Sequence, residues 1–338
     1  MNINFKALFF ITITGMSILL NDIDEVFNSN MRWVAWLLVV MLFGPLIYNK
    51  SFINFRVSAF YWTLKAMSVI TIISFCWYII GLPNLGRGIF TGASYHSMLL
   101  GPIAGISAVS FLINYFFKTN KIKSLLFFSI SVVVCILTAS RTALFSLIIV
   151  STVVTYIRYR KQLLLYSAFA FSVLFVFQVI FIDLSEYSNL AIFDSLKNKS
   201  VNNTRQEHWN NRILEFEKSP IVGIGFASID LKTSDTGFNV ETGGIEPGSS
   251  WLSILSMTGF LGCISFFVFL WPIYSKGFSL AKKQEPFSVK VFCVNMFFLI
   301  SFISEGYIFA SGSILALVYW LSLGAEYSLV QLSKIKNI

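Results

Sequence analysis

Ten apolar runs of near-membrane length leave this chain few folds to choose from. They cover 7–20, 33–48, 57–80, 98–117, 124–139, 142–157, 162–182, 249–273, 291–308 and 311–331. Inside hydrocarbon every backbone N–H and C=O must be paired within its own segment, so runs of roughly 20 apolar residues become helices. Composition agrees, with 56% hydrophobic residues, 12% charged residues and a mean hydropathy of +0.74. The expectation is an all-α integral membrane protein of about ten transmembrane helices, with one large extracytoplasmic loop containing short helices. Seven helices fall in 1–182, the loop is 183–248, and three helices follow in 249–338. The run after Lys6 reads as a retained first helix, because no small-residue cleavage site follows it.

Charge sets the expected orientation. Alternating the spans collects Lys6, Lys50, Arg56, Lys118, Lys121, Lys123, Arg158, Arg160, Lys161, Lys276, Lys282, Lys283, Lys290, Lys334 and Lys336 on one side. Among the acids only Glu285, Glu305 and Glu326 fall outside the opposite loops. By the positive-inside rule both termini are cytoplasmic and the large loop is extracytoplasmic. The net charge of +9 is therefore a topology signal, and no nucleic-acid motif accompanies it. Cys76, Cys135, Cys263 and Cys293 lie inside apolar runs without metal-type spacing, and neither a metal nor a cofactor is expected.

The loop 183–248 is the long polar region, and chemistry exposed to water is expected there. From Arg205 to Lys218 it runs without glycine or proline, and Pro220 prevents continuation, which predicts a helix. At about 100° per residue Arg205, Trp209, Arg212 and Phe216 share a stripe, with His208 beside it. Packed into a core, both guanidiniums would need buried partners, at a cost. One alternative is an amphipathic helix on the outer leaflet with its arginines at the headgroups. The other is a stripe closing over an anionic, partly apolar ligand, since arginine forks match phosphate oxygens and aromatic faces suit sugars. A lipid-linked sugar pyrophosphate meets both demands.

Several stretches resemble one family. Arg205, Trp209, Pro220 and the turn Gly223-Ile224-Gly225-Phe226 are similar to the R-x3-W-x10-P-x2-G-x-G pattern of the bacterial O-antigen ligase and Wzy-type O-antigen polymerase superfamily. Trp251-Leu252 to Thr258-Gly259-Phe260-Leu261-Gly262 resembles the family's motif after its large loop, Ser140-Arg141-Thr142 its hairpin motif, and 87–97 its glycine-rich loop. Ligases of the family carry a His-Asn pair just before the span. Here the chain reads Glu246-Pro247-Gly248-Ser249-Ser250, which favours a polymerase of surface polysaccharide repeat units over a ligase.

The resemblance implies transfer of a glycan from undecaprenyl pyrophosphate to the next lipid-linked unit, at the bacterial inner membrane. The implied partners are that lipid-linked oligosaccharide, membrane lipid and a chain-length regulator protein. Charge developing on the departing pyrophosphate calls for preorganised cations. Arg141, Arg205 and Arg87 are assigned to it, with Arg212 as a weaker fourth. Arg141 stands at the tip of a tight hairpin between apolar helices, where a cation is either functional or a headgroup anchor. The acceptor hydroxyl calls for a base, and Glu305, His208, His96 and Glu246 are the candidates. A salt bridge to an arginine is at least an equal reading of Glu305, and for each histidine alone a structural role is the leading reading over catalysis. Trp209 is expected against the sugar, and Gly223 and Gly225 bring backbone near phosphate or simply form a turn. A flippase or transporter remains the competing class. Such proteins commonly show internal repeats and broken helices, and the sequence displays neither clearly.

Overall fold

The computed structural model describes residues 2–21, 28–86, 90–117, 120–159, 204–232, 238–239, 244–245 and 248–336. It is an all-α membrane protein. The helices are α1 (Phe5–Leu19), α2 (Ser29–Leu42), α3 (Lys50–Ile80), α4 (Ser97–Phe117), α5 (Lys121–Leu137), α6 (Arg141–Tyr159), α7 (Thr204–Lys218), α8 (Ser250–Ala281), α9 (Pro286–Ser301) and α10 (Ile314–Lys336). Two antiparallel pairs accompany them, β1 (Asn2–Ile3) with β2 (Ile47–Tyr48) and β3 (Phe238–Asn239) with β4 (Gly244–Ile245). By length and composition α3, α4, α6, α8 and α10 can each cross a membrane, while α1, α2 and α9 are shorter apolar helices. The seventh apolar run, 162–182, lies outside the described residues.

The ninth run departs from expectation. Its helix ends at Ser301 instead of reaching Ile308, and 302–313 is a succession of turns. Gly306 and Gly312, with Ser304, Ser311 and Ser313, interrupt the apolar pattern. Hydroxyls that bond local backbone compete with helix, and glycine lacks the side chain that would pack it.

The described chain divides into two compact units, the first formed by Met1–Phe60, Thr204–Phe278 and Ser301–Ile338, the second by Tyr61–Asn203 and Ser279–Ile300. In the first, Trp36 sits fully buried among Phe10, Phe226, Phe309 and Trp320, with ring centroids between 5.3 and 5.9 Å away. Edge-on and tilted packing of this kind adds to the area that the rings bury. Arg56 is also fully buried, and its guanidinium donates to the carbonyls of Met41, Leu42 and Ile47 at 3.1, 3.2 and 2.7 Å. It closes the free carbonyl end of α2.

In the second unit small residues set the spacing. Gly101, Ala104, Gly105 and Ala108 of α4 are all buried, which lets neighbouring backbones approach. A Cβ on Gly101 would lie 2.6 Å from the Cβ of Ser140, and one on Gly105 would lie 2.7 Å from the Phe297 ring. Gln284 ties α6 to the turn before α9, donating to the Ile157 carbonyl at 3.0 Å.

The hairpin tip between α5 and α6 is formed by three residues, Thr138, Ala139 and Ser140. Ala139 adopts φ 49°, and the Ser140 hydroxyl accepts the Ala143 N–H at 3.4 Å as the N-cap of α6. A left-handed conformation costs a residue with a Cβ roughly 1–2 kcal/mol. Ala139→Gly is therefore expected to stabilise detergent-purified protein by about 1 kcal/mol, read as a rise of its melting temperature; an unchanged or lower value would mean that the tip carries no such strain.

Candidate active site

The polar loop is organised by α7. Glu207 stands in its first turn and Lys218 in its last, both favourable to the helix dipole, and the helix stops before Pro220 as the sequence predicts. Trp209, Arg212 and Phe216 of its stripe make contacts within the unit. Phe216 meets Phe260 edge-on at 5.0 Å, and Trp209 donates its indole N–H to the Gly248 carbonyl at 3.1 Å.

Arg212 differs from expectation. Instead of reaching toward a ligand it is buried, its guanidinium 2.8 Å from the Glu215 carboxylate one turn on, with the Ser228 carbonyl at 3.4 Å and the Ser256 hydroxyl at 3.5 Å. Glu215 also accepts the Asp230 N–H at 3.2 Å, and Asp230 pairs with Lys218. Burial pushes the Arg212 guanidinium down and the Glu215 carboxyl up, and each partner opposes the shift of the other. Burial also acts to raise Asp230, but the Lys218 hydrogen bond, the Lys232 N–H and the two lysine charges outweigh it and leave that carboxyl below the usual range. The costly buried partner that Arg212 required is thus present, and this part of the helix face packs against the glycine turn and α8.

The glycine turn and α8 interlock. α8 is interrupted at Gly259, with φ 63° and ψ −167°, so a broken helix is present where the sequence displayed none. The backbone groups released by the break find partners in 220–225. Ile224 and Gly225 donate to the Ser256 and Met257 carbonyls at 2.8 and 3.1 Å, while Phe260 and Leu261 donate to the Pro220 and Ile221 carbonyls at 2.8 and 3.1 Å. Gly223 and Gly259, both at positive φ, are the close-approach points, since a Cβ on either would stand 2.3 Å from backbone of the other segment. Phe226 then plugs between Trp36 and Phe309, and Asn21 donates to the Gly223 carbonyl at 2.7 Å. The break serves as a clasp for the loop.

A second clasp joins the start of α8 to the turns after α9. Ser249 donates to the Phe302 carbonyl at 3.0 Å, and Ser250 donates its N–H and its hydroxyl to the Glu305 carbonyl at 3.0 and 2.7 Å. Gly248, at φ 68°, lies against His208 and Trp209.

Between these clasps a cleft of about 480 Å³ opens within the first unit. Met257 and Ser253 of α8, Ala227 after the glycine turn, Ile245 of β4 and the turn residues 306 and 308–313 form its walls. Arg32, in the first turn of α2, is the charged residue in its lining. A cavity of this size, largely apolar with few polar groups, is of the kind that holds small ligands.

Of the expected site residues, Arg205 stands in the first turn of α7, followed by half-buried His208 and Trp209 and by buried Gly223 and Gly225. Glu305 is half-buried beyond the end of α9, its backbone rather than a helical position holding α8. In the second unit Arg141 is exposed at the first position of α6, and the tip before it lies against α4. His96, just ahead of α4, accepts the Met98 N–H at 3.1 Å through Nδ1, a capping role. Arg87 and Glu246 lie outside the described residues. Arg32, Glu215 and Asp230 were missed by sequence reasoning. Glu215 had a legible signal in its i+3 spacing from Arg212, whereas Arg32 had none beyond a cation closing the first acidic loop. Among the described residues no group of three His, Cys, Asp or Glu side chains could hold a metal ion.

Residues 126–267 match the model of a family described as O-antigen ligase. The matched stretch runs from within α5 through the hairpin tip, α7, the glycine turn and the break of α8. No curated protein matches the chain.

Proposed function

We propose, from the premise that residues 126–267 belong to the O-antigen ligase/Wzy-type superfamily, that this membrane protein is a polysaccharide polymerase. It transfers a glycan from undecaprenyl pyrophosphate to a hydroxyl of the next lipid-linked repeat unit, without a metal ion. The observation that carries the reading is the clasp between 220–225 and 256–261, which joins two separated motif stretches into one unit beside α7. Such a clasp gives the broken helix a structural use that needs no conduit, which favours an enzyme over a flippase. The stretch before α8 lacks the ligase histidine, which favours polymerisation over ligation to another acceptor.

In this reading Arg205 steadies the pyrophosphate while its sugar departs, and His208 or Glu305 takes the proton of the acceptor hydroxyl; Arg141 and Arg87 are each assigned to the lipid-linked substrate. Arg212 is withdrawn from the ligand set and supports α7 from beneath. The active face is extracytoplasmic at the bacterial inner membrane, with both termini in the cytoplasm, and a chain-length regulator is the expected protein partner.

A deletion strain is expected to display single repeat units on its surface, because export continues and polymerisation stops; units accumulating inside would assign transport instead. Arg141→Ala, Arg205→Ala and Arg87→Ala are each expected to remove long chains from a gel of extracted polysaccharide at unchanged protein level. Loss of one cation that stabilises developing charge slows such a step by roughly 10²–10³-fold. Normal chain lengths in all three variants would defeat the assignment.

A further inference from the structure

We infer that the second unit binds a file of buried water molecules between α3 and α4, held by Thr91, Ser110 and Asn114. The inference does not depend on the polymerase reading. α4 places Ser107, Ser110 and Asn114 at i, i+3 and i+7, which is one face of a helix. That face meets α3, because the Thr71 hydroxyl donates to the Ser107 hydroxyl at 3.2 Å, and Ser74 follows Thr71 one turn on. Thr71, Ser74, Ser107 and Ser110 are all buried. Ser107 passes its own proton to the Ile103 carbonyl at 2.8 Å, so the middle of the line is satisfied. On either side of it the chain supplies no partner. The buried atoms Thr91 Oγ1, Ser110 Oγ and Asn114 Oδ1 make no hydrogen bond among the described residues. Ser110 is the telling case. Ser68, Ser107, Ser129 and Ser131 each donate to the carbonyl four residues back, the usual refuge of a helical hydroxyl, and Ser110 does not. A buried polar atom left unmade costs about 1–3 kcal/mol, which a water with two to four polar partners removes. Ser110 and Asn114 are one turn apart, so their Cβ atoms stand about 5–6 Å from each other. One water bridges that gap, donating to Oδ1 and bonding Oγ.

The loop before α4 closes the other end of the file. It folds back along α3, where Trp77 donates to the Pro83 carbonyl at 3.0 Å and Ala93 donates its N–H to the Ser74 hydroxyl at 3.1 Å. Ser74 lies well before Ile80, the last residue of α3, so the loop reaches about 9 Å down the flank of that helix. A Cβ on Gly92, at φ 49°, would stand 2.5 Å from the Ser74 Cβ, and glycine lets the backbone come this close. Thr91 precedes it in the chain and is fully buried, which puts its unmade hydroxyl at the head of the line. Asn114 stands at the foot, within one turn of Phe117 and half-buried, where water can enter. Water can rearrange as a packed side chain cannot. The loop on this footing can shift without stranding a buried donor or acceptor.

The test is X-ray irradiation of full-length protein in detergent and oxygen-18 water. Hydroxyl radicals born from a bound water label the side chains beside it, and mass spectrometry reads the sites. Ile106 and Ile113 flank Ser110 on its own face of α4, and both are fully buried. Phe266 and Phe269 of the first unit are as well buried but packed among other rings, and a phenyl ring reacts with the radical faster than isoleucine does. Wild type is expected to take up oxygen-18 at Ile106 and Ile113 roughly tenfold faster than at the two phenylalanines, because bound water lies beside the former alone. Uptake no faster than at Phe266 and Phe269 overturns the file, and needs no variant to do so. The double variant Ser110→Ala/Asn114→Leu removes both partners of the bridging water and is expected to lower uptake at the two isoleucines roughly fivefold. Ser129→Ala, whose hydroxyl bonds the Leu125 carbonyl, is the control and should label as wild type does. Melting curves establish that each variant is folded. Undiminished uptake in the folded double variant overturns the assignment of the water to Ser110 and Asn114.

Discussion

Gly223→Ala is expected to remove most folded protein from the membrane. The residue sits at φ +76°, where an added Cβ costs roughly 1–2 kcal/mol before any contact is considered. That Cβ would also stand 2.3 Å from the Met257 carbonyl carbon and the Thr258 nitrogen. Both are backbone, so no side chain can rotate out of the way. Relief requires the clasp to open, which releases the bonds from Ile224 and Gly225 to α8 and those from Phe260 and Leu261 to the loop. The break at Gly259 then leaves backbone groups unpaired inside an apolar helix, a state that costs several kcal/mol in hydrocarbon. A total above about 4 kcal/mol puts the change among the rare single substitutions that unfold a protein outright. Size-exclusion chromatography of a fluorescent fusion reads the outcome, and Gly312→Ala should elute as wild type, since its Cβ meets open space. A monodisperse Gly223→Ala peak with an unchanged melting temperature would show that the two segments are not interlocked.

The features legible in the sequence were those set locally. Runs such as 98–117 had to be helical because their backbone has no water to bond, and α4 forms over nearly those residues. The α7 helix was likewise marked by its uninterrupted polar stretch and by Pro220. What stayed hidden depends on a partner distant in sequence. Gly259 looks like any small residue in a membrane span, and only the approach of Ile221 and Val222 reveals why a side chain is excluded there. The end of α9 at Ser301 is similar, because the carbonyls of Phe302 and Glu305 are committed to Ser250, fifty residues earlier in the chain. The Arg32 cleft is assembled from α2, α8, β4 and the turns after α9, and no periodicity can bring those together. The Arg212 stripe shows the limit in another form. Helical geometry placed Arg212 on a face with Trp209 and Phe216, but it does not say whether a face meets a ligand or a core.

Replacing Glu215 by alanine is expected to cost about 3–5 kcal/mol, because it strands the Arg212 guanidinium in a buried site and leaves the Asp230 N–H without its acceptor. Arg212→Met strands the opposite charge, and its penalty depends on pH. Burial already holds the Glu215 carboxyl above its ordinary value, and losing the guanidinium raises it further. With the folded-state value above the unfolded one, the folded protein binds the extra proton, so stability is greatest at acid pH and falls as pH rises through the raised value. Arg212→Met should therefore melt closest to wild type near the ordinary carboxylate range and furthest from it at neutral pH. The double variant Arg212→Met/Glu215→Gln removes both charges and keeps an acceptor for Asp230, and it is expected to recover most of the loss, a coupling of roughly 2–3 kcal/mol. The same variant separates structure from chemistry. If Arg212 only supports α7, a stable double variant makes polysaccharide of normal length. If its guanidinium touches the pyrophosphate, chains stay short even though the protein has recovered its melting temperature, and Arg212 returns to the ligand set beside Arg205.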